Sequence, residues 1–199
     1  MKVQVLYSGG QDSSLSAVLL EPFFDVELVT CTFGIKNEDY WRNAENAAAV
    51  IGFPFKTLKL GQEVLDAGID LILRYGYPRY GINYVHRMAL EALASSGARF
   101  IADGTRRDDH SPMLDMSQIK SIEDAYGSMY IRPLAGYGKH AIDALVKEHF
   151  EIVEGPSIEK ADYESEIRSS LNMRYGAATV EKLFPPIHAQ SRVLRRYKK

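Results

Sequence analysis

Six residues, Ser8-Gly9-Gly10-Gln11-Asp12-Ser13, separate a short apolar run (Val3, Val5, Leu6) from one with helical spacing (Leu15, Val18, Leu19). A strand that turns into a helix within so few residues needs backbone freedom, and paired glycines supply it because no Cβ blocks the turn. The same absence lets main-chain N–H groups approach a ligand, and the free N–H groups of the following helix point into the turn. With hydroxyls at Ser8 and Ser13, and Tyr7 and Ser14 on either side, such a nest suits a phosphate group. The plainer alternative is a tight connection with Asp12 or Ser13 as helix N-cap. The segment lacks the Gly-Lys-Ser/Thr ending of a Walker A loop, and it is not the G-x-G-x-x-G dinucleotide fingerprint.

Beyond this turn, apolar runs alternate with helical periodicity. Strands are expected at Lys2–Tyr7, Asp25–Phe33, Pro54–Leu60, Arg99–Asp103 and Ser128–Arg132. Helices are expected at Asp12–Glu21, Asp39–Ile51, Gln62–Tyr75, Ile82–Ser96, Lys139–His149, Ile158–Tyr175 and Ala177–Phe184. Strands separated by helices imply right-handed crossovers and a parallel sheet covered on both faces. The longest irregular stretch, Gly104–Met116, is too long to be idle in a compact domain. In open parallel sheets ligands bind outside the carboxyl ends of the strands. The Ser8–Ser13 turn, the Thr32-Phe33-Gly34 strand end and the Asp103–Asp109 loop all fall there, which points to one site.

That last loop, Asp103-Gly104-Thr105-Arg106-Arg107-Asp108-Asp109-His110, packs carboxylates, guanidiniums, a hydroxyl and an imidazole together. Guanidiniums recognise phosphate oxygens bidentately, and carboxylates hold Mg²⁺. A solvated cluster that neutralises itself is the alternative. His86, His110 and His140 show no metal-ligand spacing; His110 is read as a pocket residue and the other two as structural.

Taken together, these segments resemble the PP-loop (SGGxDS) ATP pyrophosphatase superfamily, the adenine nucleotide alpha hydrolase-like group, in a short stand-alone archaeal-type form. The resemblance rests on Ser8–Ser13, on Gly104, Thr105, Asp108 and Asp109 after the fourth strand, and on Ile131-Arg132-Pro133-Leu134 followed by Lys139. It covers Met1 to about Phe150. It implies an α/β, three-layer, doubly wound, mostly parallel sheet of five strands in the order 3-2-1-4-5, of HUP type. It also implies a PP-loop ATP-binding catalytic domain over 1–150, followed by a helical C-terminal extension with a basic tail over 151–199.

The activity implied is cleavage of ATP between the α and β phosphates to AMP and pyrophosphate. This activates a substrate oxygen for attack by an amine or ammonia. ATP and Mg²⁺ are the cofactors expected. Ser8, Gly9, Gly10 and Ser13 would hold phosphates, Thr32 and Phe33 would line the adenine or ribose pocket, and Gly104, Thr105 and Arg106 would lie near the α-phosphate. Asp12, Asp108 and Asp109, with Asp103 as a further candidate, would serve the metal. Asp12, Asp109 and Lys139 would carry the catalysis. Arg87 matches the arginine of a segment in which many relatives also carry a cysteine, but the cysteine is missing here.

Cysteine narrows the reaction. Cys31 is the only one in 199 residues, so there is no internal disulfide and no cysteine-based zinc cage. A lone thiol at the end of a strand also has no partner for persulfide chemistry and reads as a small buried hydrophobe. Amide- or amidine-forming chemistry survives. A nucleotide-binding protein that senses ATP without turnover is the reading from a different class.

No run reaches the roughly 18 apolar residues of a membrane span, and the N-terminus reads as strand and not signal peptide. A cytoplasmic protein without membrane contact is therefore expected, and a homodimer is compatible with the sequence. The net charge of −2 hides Arg192, Arg195, Arg196, Lys198 and Lys199 crowded near the C-terminus. With Tyr197 they suit a nucleic-acid backbone, making tRNA one candidate acceptor. Equally, they suit a solvated helix end complementing its own dipole.

Overall fold

The computed structural model describes residues 1–35, 41–155, 163–184 and 190–197. Five strands, β1 (Lys2–Leu6), β2 (Asp25–Thr32), β3 (Phe55–Lys59), β4 (Phe100–Ala102) and β5 (Met129–Ile131), form one parallel sheet in the order β3-β2-β1-β4-β5. The alternation of strand and helix patterns predicts a parallel α/β sheet, and the order is the HUP-type one that the family resemblance implies. Both faces of the sheet are covered, so its central strands are apolar on both sides. Val3 and Val5 of β1 face one layer and Leu6 faces the other.

The first layer holds α1 (Gln11–Leu20), α2 (Trp41–Ile51) and α6 (Lys139–His149). The second holds α3 (Gln62–Tyr75), α4 (Arg79–Ser95), α5 (Met116–Tyr126) and α7 (Tyr163–Tyr175), with α8 (Ala177–Leu183) beside α7. Helix α1 is buried on nearly every face, with Ser13, Ser14 and Ser16 inside as well as Leu15, Ala17 and Val18. It can be so because the sheet lies on one side while α6 and a C-terminal strand lie on the other.

Two features depart from the sequence reading. Helix α5 was not expected after the irregular stretch. A capping box starts it, in which the Asp115 carboxylate accepts from Gln118 N–H and the Gln118 side chain accepts from Asp115 N–H; the left-handed Gly127 ends it. Beyond residue 150 the chain is also not purely helical. Strands β6 (Phe150–Gly155) and β7 (Gln190–Arg196) pair antiparallel with an irregularity at Glu151/Ile152.

The basic residues Arg192, Arg195 and Arg196 therefore sit on a strand and not on a helix end. Val193 is buried against the α1, α2 and α6 layer, and full burial of a valine contributes about 2 kcal/mol. Arg196 is tied to Glu21 and to the Ile51 carbonyl, and Arg195 pairs with Glu151 at 3.0 Å. The first residues expected for α2 and for the helix at Ile158–Tyr175, the Pro185-Pro186 break, and Lys198 and Lys199 lie outside the described residues.

Candidate functional site

After β1 the chain leaves for β2 on one side, and after β4 it continues to β5 on the other. The loops following β1 and β4 thus diverge and leave a crevice at the carboxyl end of the sheet. A cavity of about 590 Å³ fills it, within the range of small-molecule sites. Its walls include the Ser8–Ser13 turn, Asp103–Arg106, Asp109 and Lys139. The three segments that the sequence placed at the sheet's carboxyl end do not all reach it, however. Thr32 and Phe33 do not line the cavity, whereas Thr30 and Cys31 do.

The turn is built as its sequence requires. Gly9 has φ +77°, a left-handed conformation costly for any residue with a Cβ, and an added Cβ would lie 3.2 Å from Ala44 Cα. Gly10 N–H donates to Ser8 Oγ at 3.4 Å, and the Ser8 and Ser13 hydroxyls lie 3.3 Å apart. Ser13 Oγ–H donates to the Gly10 carbonyl at 3.2 Å. Below the turn, Tyr7 OH and Ser14 Oγ are 3.1 Å apart and support its floor.

Gly104 carries the close approach between the two loops. A Cβ there would sit 2.6 Å from Ser13 N and 2.9 Å from the Asp12 carbonyl carbon, both backbone atoms that cannot swing away. The neighbouring Ser16 Oγ–H donates to the Asp103 carbonyl at 2.6 Å and locks β4 onto α1.

The charged groups divide into engaged and spare. Asp109 accepts from Arg106 at both oxygens, through the backbone N–H at 2.7 Å and the guanidinium Nη2 at 2.6 Å. Asp108 Oδ2 accepts the Lys139 N–H at 3.0 Å and caps α6. Lys139 Nζ pairs with Asp143 at 3.1 Å, one helical turn away. Asp12 differs. Its Oδ2 lies 3.5 Å from Arg106 Nε, but its Oδ1 is buried without a hydrogen-bond partner. Burial pushes the Asp12 carboxyl up to about 6, opposed by the Arg106 charge and reinforced by that of Asp109.

Mg²⁺ suits this arrangement, because that ion takes one or two carboxylates and completes its shell with phosphates and water. Asp12 lines the cavity together with the glycine turn, and its Oδ1 is an anionic oxygen that no hydrogen bond satisfies. Among the described residues no three His, Cys, Asp or Glu side chains cluster as a ready-made metal cage.

A second network lies at the cavity's inner end, and the sequence reading missed it. Asp103 is 3% exposed, and its carboxylate accepts from Thr105 N–H at 2.9 Å, Thr105 Oγ1 at 2.8 Å, His86 Nε2 at 2.9 Å and Tyr130 OH. Burial alone would raise its pKa, but the donors from His86, Tyr130 and Thr105 outweigh it and hold the carboxyl below the usual range. Asp103 is thus a fully used anchor and not a spare metal ligand. His86 Nδ1 and Tyr163 OH are 2.8 Å apart, so α7 reaches the cavity through Tyr163. Arg87, next to His86, does not line the cavity; it pairs with Glu91 at 2.7 Å.

The end of β2 is closed by Glu166 of α7, which is 1% exposed. Its carboxylate accepts from Thr32 Oγ1 at 2.8 Å and Phe33 N–H at 2.9 Å. Burial pushes its pKa up despite those donors. The groups of Thr32 and Phe33 expected to meet a nucleoside are therefore occupied by a side chain. No pattern in a helix of unknown register marks one glutamate as the buried one.

The model of DUF7411, a family of unknown function, matches residues 1–195. The chain belongs to this family. An uncharacterized protein of Methanocaldococcus jannaschii is 40% identical to this DUF7411 chain over 198 residues, which is 98% of this chain and 96% of that protein. The crystal structure of a predicted subunit of tRNA methyltransferase, also from Methanocaldococcus jannaschii, superposes with a TM-score of 0.91 at 40% identity, covering 100% of this chain and 99% of that one. The U34-tRNA thiolase NcsA of Methanococcus maripaludis, solved with its 4Fe–4S cluster, shares the fold at TM-score 0.50 and 15% identity, over 90% of this chain and 68% of its own.

Proposed function

We propose that this DUF7411 chain is a PP-loop enzyme that cleaves ATP between the α and β phosphates and transfers AMP to a substrate oxygen. The observation that carries this reading is Asp12. Its carboxylate, with one buried oxygen left without a hydrogen bond, lines the same cavity as a glycine turn rich in donors, with Arg106 beside it and Lys139 on the wall. A solvated, self-neutralising cluster has no reason to keep such an oxygen dry.

In this reading the Ser8–Ser13 turn takes the outer phosphates through N–H and hydroxyl donors. Asp12 holds Mg²⁺, which supplies charge neutralisation for the triphosphate. Arg106, aligned by Asp109, presents its guanidinium toward the α-phosphate beside Gly104 and Thr105. Lys139 leaves Asp143 to meet the departing pyrophosphate. A carbonyl or carboxylate oxygen of the substrate attacks the α-phosphorus and pyrophosphate leaves with its bonding pair. A nitrogen nucleophile then bonds to the activated carbon and expels AMP. Positioning and preorganised charge account for the acceleration.

tRNA is the acceptor class we favour. Its support is the 40% identical structure, which is named as a predicted subunit of tRNA methyltransferase.

The test is incubation of the full chain with ATP radiolabelled at the α-phosphate, Mg²⁺, and either total tRNA or a small-metabolite fraction. AMP and pyrophosphate formed in equal amounts, and lost in Asp12→Ala, is the expected result. ATP bound without turnover against either pool would favour the sensing reading, and no ATP binding would refute both.

A further inference from the structure

The C-terminal strand β7 meets the phosphate turn directly. Gln11 N–H, a first-turn donor of α1, donates to Ser191 Oγ at 3.2 Å, and the Ser191 carbonyl lies 3.8 Å from where a Gly10 Cβ would stand. Ser191 and Arg192 both line the cavity that holds the turn. A serine hydroxyl that accepts one hydrogen bond still has its own proton to donate, and among the described residues nothing takes it. Arg195 and Arg196 on the same strand are committed to Glu151 and Glu21. Arg192 has no carboxylate partner among the described residues.

We infer that β7 supplies the second half of the phosphate site: Ser191 and Arg192 bind the two outer phosphates, the part that leaves as pyrophosphate. The inference rests on the ATP reading and deepens it. Ser191 takes the Gln11 N–H and passes a polarised O–H onward to a phosphate oxygen, so the helix terminus acts through the hydroxyl. A guanidinium is the side chain best matched to the adjacent oxygens. Glu154, opposite Ser191 in register, also lines the cavity, so the guest is the Mg²⁺ complex and not the bare anion.

Titration calorimetry on the full chain tests this, with Mg²⁺ present and three probes: α,β-methylene-ATP, inorganic pyrophosphate and AMP. Ser191→Asp sets a negative charge against the phosphates, and Arg192→Ala removes a charged donor. Each is expected to weaken the first two probes about tenfold or more, as for loss of a hydrogen bond to a charged group. AMP, which lacks the outer phosphates, keeps its affinity, and Ser191→Thr restores binding of all three.

Variants that bind methylene-ATP and pyrophosphate as the wild type does overturn the inference and leave the ATP reading intact. Equal losses for AMP also overturn it, by showing that the strand merely supports the fold. A wild-type chain that binds no methylene-ATP removes both.

Discussion

Asp12 and Arg106 form an ion pair on the cavity wall, with Oδ2 and Nε 3.5 Å apart, while the other Asp12 oxygen is buried without a hydrogen bond. The pair joins the loop after β1 to the loop after β4, and it leaves one carboxylate oxygen without a hydrogen bond.

A carboxylate desolvated more than its ion pair compensates has a stability signature. The Asp12 carboxyl is raised from 3.8 to about 6 in the folded protein, so between those values the folded state binds the proton more tightly than the unfolded one. Stability is therefore fully present below the lower value and declines as pH rises through the upper one. Asp12→Asn should stabilise the fold at pH 7.5 by about 1–2 kcal/mol after discounting for partial exposure, seen as a higher thermal midpoint, and change it little at pH 4.5. Affinity for Mg²⁺-nucleotide should rise with pH through about 6 in the wild type and vanish in the variant. A midpoint shift of equal size at both pH values would disprove this account.

Gly104→Ala should be far more damaging than a methyl group suggests. The new Cβ meets the backbone of Asp12 and Ser13 at under 3 Å, so β4 must retreat from α1. Overpacking of this kind costs about 1–3 kcal/mol, and it would part the two loops. Chemical denaturation should show that loss, and calorimetry should show nucleotide binding abolished. Unchanged binding would mean the two loops need not touch.

Cys31 should be unreactive. Burial, aided by the nearby Glu166 charge, pushes its thiol up to about 12, so almost no thiolate exists at pH 8. Mass spectrometry after iodoacetamide treatment should find the native protein unmodified and the denatured protein alkylated. Rapid native alkylation would reopen sulfur-transfer chemistry.

Asp103 should matter most at neutral pH. Its folded pKa is held below the usual 3.8 by its donors, so its contribution is present above that value and lost as pH falls through the folded one. Asp103→Asn, which breaks a buried charged network, should cost about 3–5 kcal/mol at pH 7. The gap to wild type should narrow toward pH 3 in urea titrations, and a gap independent of pH would contradict the network.

The strand and helix succession and the glycine turn were legible because both depend on local signals, while the sheet order came from the family resemblance. Alternating periodicities fix the strands and helices, and a Gly-Gly pair between them marks the turn. Helix α5 also left a signal, the Asp115/Gln118 capping box with Gly127 behind it, but only Ile119 and Ile122 are buried on it, so its apolar stripe is faint. Strand β7 reads Ser-Arg-Val-Leu-Arg-Arg after its first residue, where arginines obscure the alternation and the pairing partner lies far back in sequence. Glu166, Tyr163 and Ser191 were out of reach for the same reason. Each meets its partner through tertiary contacts spanning tens of residues or more, which no local spacing records.

The hydrogen bond from Gln11 to Ser191 spans 180 residues of chain. At ordinary elongation speeds the ribosome needs on the order of ten seconds or more to make that stretch, during which the glycine turn has emerged and its strand cover has not. A nascent chain of this protein therefore spends that interval with its glycine turn uncovered, before β7 docks on it.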